Sequence, residues 1–223
     1  MGKKIETDSI SLPGSCLSRR ADGMIFPDRN APRRQARRKE LRMGLERTDD
    51  FEMIRDRYIS VASDTRDISQ YARWIYGKHP TDEMLRTYIA NGEMYVLTDG
   101  GKTAGMAAVV MSQGKDYESV SWERKLENDR VATIHLLAVC PENQGKHLGG
   151  RLLEEIARLA ARNGKEAIRL DVLESNLPAR RMYEKAGYSY RGKQRLYAEN
   201  TGWTDFLFYE KALDHPASEE EKK

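Results

Sequence analysis

From Asp49 onward the apolar positions of this chain fall into short, regular runs. FEMIRDRYISVAS places Phe51, Ile54, Tyr58 and Val61 on one face at helical spacing. DTRDISQYARWIYGKHP continues as a second helical piece ending near Gly77, with Pro80 beyond it. TDEMLRTYIANG predicts a cleaner helix, which Thr81 or Asp82 can cap and Asn91-Gly92 can end. EMYVLTDGGKTAGMAAVVMSQG predicts two strands around Asp99-Gly100-Gly101, a strong hairpin signal. The polar stretch from Tyr117 to Arg130 favours neither element beyond a strand end and a loop. ATIHLLAV then reads as a buried strand. After it, PENQGKHLGGRLLEEIARLAARNG runs from a Gly-rich turn into an amphipathic helix that stops at Asn163-Gly164. KEAIRLDV alternates Ile168, Leu170 and Val172 as a strand. ESNLPARRMYEKAG predicts a short helix with Asn176 at its cap, Pro178 in its first turn and Gly187 at its end. YSYRGK and TDFLFYEKAL close the pattern as two strands.

The order is helix, helix, hairpin, strand, helix, strand, helix, strand, strand. That is a mixed α/β domain with one parallel crossover, from Thr133 to Val172. Composition adds a boundary. From Met1 to Met43 there are eleven Lys and Arg against five Asp and Glu, with Pro13, Pro27 and Pro32 scattered among them. The whole chain carries only +3, so its basic balance belongs to this leading segment. Such a stretch buries too little apolar surface to offset its ordering entropy. The expected organisation is therefore a basic, disordered arm over 1–43, a folded domain over 44–214 and a polar tail over 215–223. The Arg cluster from Arg33 to Arg42 could touch nucleic acid, the plainer reading being a solvated arm or an extension upstream of a start at Met43. No membrane span or secretory leader is visible, and Cys16 and Cys140 have no metal-ligand spacing, so the expectation is a cytoplasmic protein without a metal site.

The chemistry starts at the turn. A helix N-terminus carries free amides and partial positive charge, and a Gly-rich turn feeding it from a strand can gather those amides on a phosphate. Gly145, Gly149 and Gly150 beside Gln144 and Lys146, with Arg151 following, have that construction. No Gly-Lys-Ser/Thr ending makes it a P-loop, and the glycine spacing is not that of a dinucleotide fingerprint. A plain tight turn at a helix start is the alternative.

With its flanks, the stretch resembles the GNAT (GCN5-related N-acetyltransferase) family. Its signature of Gln or Arg, two residues, Gly, one residue, Gly or Ala corresponds to Gln144-Gly145-Lys146-His147-Leu148-Gly149. IRLDVLESNLPARRMYEKAGY resembles the family's following strand, Asn and helix, and the Met94–Ala108 hairpin resembles its earlier strands. The likeness runs from Leu45 to Leu213 and is densest from Ile134 to Tyr188. One position departs: His147 stands where the family has its first motif glycine. The side chain there must point away from the phosphates, widen the turn or, if protonated, add a donor.

The resemblance implies a twisted, mostly antiparallel sheet with one splayed parallel strand pair and flanking helices. It implies acetyl-CoA as co-substrate, its pantetheine arm along Leu137, Ala138 and Val139. The turn of Gln144, Gly145, Lys146, His147, Leu148, Gly149 and Gly150 would hold the pyrophosphate, with Asn176 beside the arm. Tyr183 matches the tyrosine near the thioester sulfur, which could protonate the leaving thiolate. An incoming ammonium must lose a proton, for which His135, Asp171 and Glu174 are candidates. Aromatic residues for the amine come from Trp74, Tyr76, His79 and Tyr88 on one side and from Tyr197 and Trp203 on the other. The expected activity is acetyl transfer to a small-molecule primary amine. Peptide N-termini and a non-catalytic acyl-CoA-binding module are the alternatives, and a homodimer paired through the closing strands is a further expectation.

Overall fold

The computed structural model describes residues 43–213. The basic arm with its Arg cluster, Cys16 and the tail HPASEEEKK lie outside the described residues. Seven strands form one sheet in the order β1-β2-β3-β4-β5-β7-β6. They are β1 (Met43–Arg47), β2 (Met94–Asp99), β3 (Lys102–Val110), β4 (Val131–Val139), β5 (Ala167–Leu173), β6 (Ser189–Ala198) and β7 (Gly202–Ala212). Only β4 and β5 run parallel; every other pair is antiparallel. The helices are α1 (Phe51–Asp64), α2 (Ile68–Tyr71), α3 (Asp82–Ala90), α4 (Leu148–Arg162) and α5 (Leu177–Lys185). The mixed sheet with a parallel pair and flanking helices is the architecture expected from the sequence.

Most elements follow their local signals. Asp50 caps α1 through Met53 N, and Ile54, Tyr58 and Val61 are its buried face. Thr81 caps α3, and Asn176 caps α5 with a proline in the first turn. Three details differ from expectation. β1 was not foreseen: a five-residue strand with only Met43 and Leu45 packed against the core gives a period too short to read. Met43 pairs with Asp99 and Arg47 with Tyr95, which adds β1 to the edge of the sheet. The second helical piece shrinks to the four residues of α2, because Asp67 and Arg73 on either side adopt left-handed φ values of 57° and 53°, which a right-handed helix excludes. β6 also runs on to Ala198, well past the expected YSYRGK.

Helices α4 and α5 cover one face of the sheet, α1 and α3 the other. The side chains of β4 change allegiance part-way. Ala132 and Ile134 pack towards α4, whereas Leu136 and Ala138 pack towards α1 and α3. Strict alternation would keep all four on one side. The cause is a bulge: Met106 pairs with Ala138 but Ala108 pairs with His135, leaving an extra residue on β4, and Leu136 sits at φ 53°. The buried Tyr58 hydroxyl of α1 donates to the Leu136 carbonyl at 2.7 Å, holding the strained residue in place.

Residues 111–130, ambiguous in sequence, form a strap with two short 3-10 turns at Lys115–Tyr117 and Asn128–Arg130. It lies over the β5–β7 part of the sheet and is pinned by one buried cation. Arg169 of β5 pairs with Glu210 of β7 at 2.8 Å, with side chains 1% and 2% exposed. The same guanidinium donates to the Gln113 side chain and to the Arg124 carbonyl, and lies over the Trp122 ring. Tyr117, Val120 and Phe208 close a small apolar cluster beneath the strap. Leaving either charge of such a pair alone costs about 3–5 kcal/mol, so the strap is built on a contact that tolerates little editing.

Tyr58→Phe removes only the hydroxyl that holds the bulge. Chemical denaturation is expected to show a loss of about 1–3 kcal/mol, the cost of leaving a buried carbonyl unpaired. Unchanged stability would mean that the bulge needs no such tether.

Candidate functional site

Parallel pairing between β4 and β5 starts at Val131↔Ala167 and ends at Ile134↔Leu170. Beyond it the strands part, and a cavity of about 1040 Å³ occupies the split. His135 to Val139 line one side of it and Asp171 to Leu173 the other. The bulge at Leu136 follows directly on the last paired stretch, two residues beyond Ile134, so the interruption is built into the backbone.

At one end stands the Gly-rich turn. Gln144, Gly145, His147, Leu148, Gly149 and Gly150 all line the cavity. Helix α4 has no side-chain cap, and its first internal bond runs from Arg151 N to the His147 carbonyl at 3.4 Å. The amides of Leu148, Gly149 and Gly150 therefore precede the helix's own ladder. α1, α3 and α5 each use a side chain to cap the same groups. An uncapped helix start facing a cavity is suited to an anion.

The glycines there serve different ends. Gly145 has φ 76° and open space around its Cα, and Gly150 also has nothing within 4 Å. A Cβ on Gly149, by contrast, would overlap the Met182 sulfur and touch Val139. Gly149 thus lies where α5 comes close to α4, with the flexible Met182 side chain packed over it. His147 is exposed and has φ 60°, ψ 16°. The turn keeps the left-handed geometry that glycine favours although the residue carries a side chain. Gln144 donates from Nε2 to Thr65 Oγ1 at 2.9 Å and to the Val139 carbonyl at 3.2 Å, tying the turn to the end of α1. Lys146 is held back on its own loop by the Glu142 carbonyl and Asn143.

Across the split, Asn176 lines the cavity while its Oδ1 accepts from Ala179 N. Tyr183 of α5 also lines it, its ring packed between Tyr188 and Tyr209. Burial, and then the nearby Asp171 charge, push its hydroxyl well above the ordinary phenol range. It stays a neutral proton donor at physiological pH.

The far end of the cavity is aromatic. Trp74, His79 and Tyr88 line it as expected. Tyr76 instead donates to Asp82 at 2.6 Å, and Tyr197 and Trp203 pair with each other in solvent on the β6–β7 hairpin. The His135 ring stacks on Tyr88 and meets Tyr117 edge-on. Asp171 Oδ1 accepts from the Tyr117 hydroxyl at 2.6 Å. Burial and this carboxylate raise the Tyr117 hydroxyl far above its usual pKa, and burial pushes Tyr88 up to about 12. His79 is moved the other way, burial favouring its neutral form against the opposing pull of Asp171. Glu174, the third candidate base, lies outside this lining and faces Lys193. Cys140 is buried with its thiol against the Thr103 carbonyl and its pKa raised by burial, a structural residue.

The sequence left Tyr117, Thr65, Asn200 and Met182 unnoticed. Asn200, in the β6–β7 turn, donates to the Arg73 carbonyl at 2.7 Å, and Ser175 donates to the Tyr71 carbonyl at 2.9 Å. Both ties fasten the rims of the cavity. The spacing of Tyr117, Val120 and Trp122 in an otherwise polar stretch was the available hint of a packed strap.

A family model described as acetyltransferase (GNAT) family matches residues 61–188, more than half of the chain. A curated relative from Archaeoglobus fulgidus, called an uncharacterized N-acetyltransferase, is 26% identical over 118 residues, which cover 53% of this chain and 67% of that protein. In fold the chain is similar to a GNAT-family acetyltransferase from Streptococcus agalactiae, with TM-score 0.60 and 22% identity, covering 77% of this chain and 96% of that one. It is also similar to a putative acetyltransferase from Salmonella typhimurium in complex with its cofactor acetyl-CoA, with TM-score 0.56 and 20% identity, covering 79% and 96%. Among the described residues no helix is long and apolar enough to cross a membrane, and no cluster of potential metal ligands is present.

Left-handed backbone at a non-glycine residue costs about 1–2 kcal/mol. His147→Gly relieves it at some loss of chain entropy, so thermal unfolding is expected to show a net gain of about 0.5–1 kcal/mol. A destabilised variant would mean that the imidazole makes a compensating contact.

Proposed function

The chain belongs to the acetyltransferase (GNAT) family, and from that premise we propose that it transfers the acetyl group of acetyl-CoA to a small-molecule primary amine. The observation that carries the reading is the uncapped start of α4 opening into the β4–β5 split, with Tyr183 on the facing wall. The residues present suit the co-substrate. Free amides at Leu148, Gly149 and Gly150, with open space at Gly145 and Gly150, suit a pyrophosphate. The strand edge from Leu137 through Ala138 to Val139, beyond the last β5 pair, suits an extended amide-bearing arm. Asn176 stands beside it.

Acetyl-CoA supplies a thioester whose carbonyl carbon accepts the amine nitrogen and whose sulfur leaves. The chain supplies position and protons. Asp171, which lines the cavity, takes a proton from the incoming ammonium. His135, clamped between Tyr88 and Tyr117, forms the wall beside it. Backbone amides near Val139 polarise the carbonyl as oxygen-anion donors do. Tyr183 gives its phenolic proton to the departing sulfur, and the proton shed by nitrogen after attack restores the phenol through water.

A small amine is favoured over a peptide because the rims are tied together by the Asn200–Arg73 and Ser175–Tyr71 contacts, and the amine end is walled by Trp74, His79, Met84 and Tyr88. A peptide acceptor needs a continuous groove leading out of the site.

Acetyl-dependent thiol release over an amine panel tests the reading. Tyr183→Phe is expected to lower kcat by about 10²–10⁴-fold, the usual worth of a positioned acid, with the heat of CoA binding unchanged. Full turnover in that variant would remove Tyr183 from the chemistry. CoA binding with no turnover on any amine would identify a binding module instead, and turnover confined to peptides would overturn the small-molecule acceptor.

A further inference from the structure

The amine end of the cavity has a distinctive charge balance. Its walls are Trp74, His79, Met84, Tyr88, His135 and Phe206, and among the described residues its one carboxylate is Asp171. The other acid lining the cavity, Glu154, lies on α4 and is paired with Arg151 and Arg158. Asp171 Oδ1 is occupied by Tyr117, while Oδ2 makes no hydrogen bond among the described residues. The cavity-lining cations all lie elsewhere. Arg66 is 94% exposed beside Thr65, the partner of Gln144. Arg181 and Lys185 are exposed on α5, and the Lys211 ammonium is bound to the Ala186 carbonyl at the end of that helix. Arg169, two residues before Asp171, is committed to Glu210 beneath the strap. Burial lowers the pKa of His79, against the pull of Asp171.

Resting on the acetyltransferase reading above, we propose that the acceptor is a monocationic amine with an aromatic or otherwise apolar body and no carboxylate, phosphate or other anionic group. Three features of the wall point that way. One acceptor oxygen, Asp171 Oδ2, is free to take an ammonium N–H. The Tyr88 and Trp74 rings in the lining attract a cation and pack an apolar body. An acceptor carrying its own carboxylate would bury that charge beside Asp171 with no Lys or Arg to meet it, and an unpaired buried charge is heavily penalised. Amino acids are thereby excluded by charge, although their amines have suitable reactivity.

Tyr117 adds a selective element. It comes from the strap rather than the sheet, and its hydroxyl engages Asp171 Oδ1, leaving Oδ2 as the carboxylate oxygen open to an ammonium. The strap's anchorage on Arg169 therefore bears on amine recognition and not only on stability.

The discriminating pair is 2-phenylethylamine and phenylalanine, which share a ring and an amine and differ by one carboxylate. With the full chain and saturating acetyl-CoA, kcat/KM for 2-phenylethylamine is expected to exceed that for phenylalanine by at least about 100-fold, the effect of one unpaired buried charge. Calorimetry on the CoA-loaded protein supplies a readout independent of turnover: 2-phenylethylamine binds, phenylalanine does not, and Asp171→Asn weakens the former about tenfold or more, as expected for loss of a charge-assisted hydrogen bond. CoA affinity in Asp171→Asn is expected to stay unchanged. Equal or better use of phenylalanine overturns the proposal and leaves the acetyltransferase reading standing. Failure of 2-phenylethylamine to bind the CoA-loaded protein overturns the proposal as well. Failure of CoA itself to bind removes the reading on which it rests.

Discussion

The structure depends on a parallel ladder that stops early. β4 and β5 pair for four residues and then separate, because an extra residue at the Leu136 bulge turns the rest of β4 out of register with the strand it has followed. One buried hydroxyl, Tyr58, secures the strained carbonyl. The two consequences are coupled. The split makes the cavity, and the reversal of side-chain phase hands Leu136 and Ala138 to the α1–α3 layer while Leu137 and Val139 pack towards α4. A regular strand would fill the cleft with its own ladder and leave nowhere for a substrate arm to pair.

The polar groups released by that interruption are matched by others left free on purpose at the start of α4. Three helices spend a side chain on capping; α4 does not, and its N-terminus opens on the cavity. Glycine is used unevenly around it. Gly145 supplies a left-handed turn with open space, Gly149 makes room for Met182, and at His147 the left-handed turn is kept although glycine is absent. The aromatic end works by a different rule, with a single carboxylate among rings and with cations excluded. One cavity thus joins an anion-attracting end to a cation-attracting end, as suits a nucleotide thioester meeting an amine.

Much of this could be read from the chain because it is written locally. Asp99-Gly100-Gly101, Thr81, Asn176 with Pro178, and the Gln144–Gly150 run each act within a few residues, and each appears where the spacing predicts. Leu137, Ala138, Val139, Asn176, Tyr183, His135 and Asp171, which the family resemblance singled out, all line the cavity. What stayed hidden is long-range. Tyr58 and Leu136 are 78 residues apart, and Tyr117 and Asp171 are 54 apart. No period or motif joins such pairs. β1 and the strap were illegible for a related reason: short or polar segments that gain order by packing on a finished sheet carry little pattern of their own. The bulge was hidden differently, since ATIHLLAV reads as a uniformly buried strand and only the pairing of Ala108 with His135 reveals the extra residue.

The central claim is that free main-chain amides of the turn and of the unpaired end of β4 receive the co-substrate. Amide NMR of the full chain titrated with coenzyme A tests it most directly. The account predicts that Leu148, Gly149 and Gly150 move downfield as a phosphate accepts their hydrogens, with Leu137 to Val139 shifting in step at the same affinity. Binding that leaves these amides unmoved, with the changes confined to other surfaces, would contradict it.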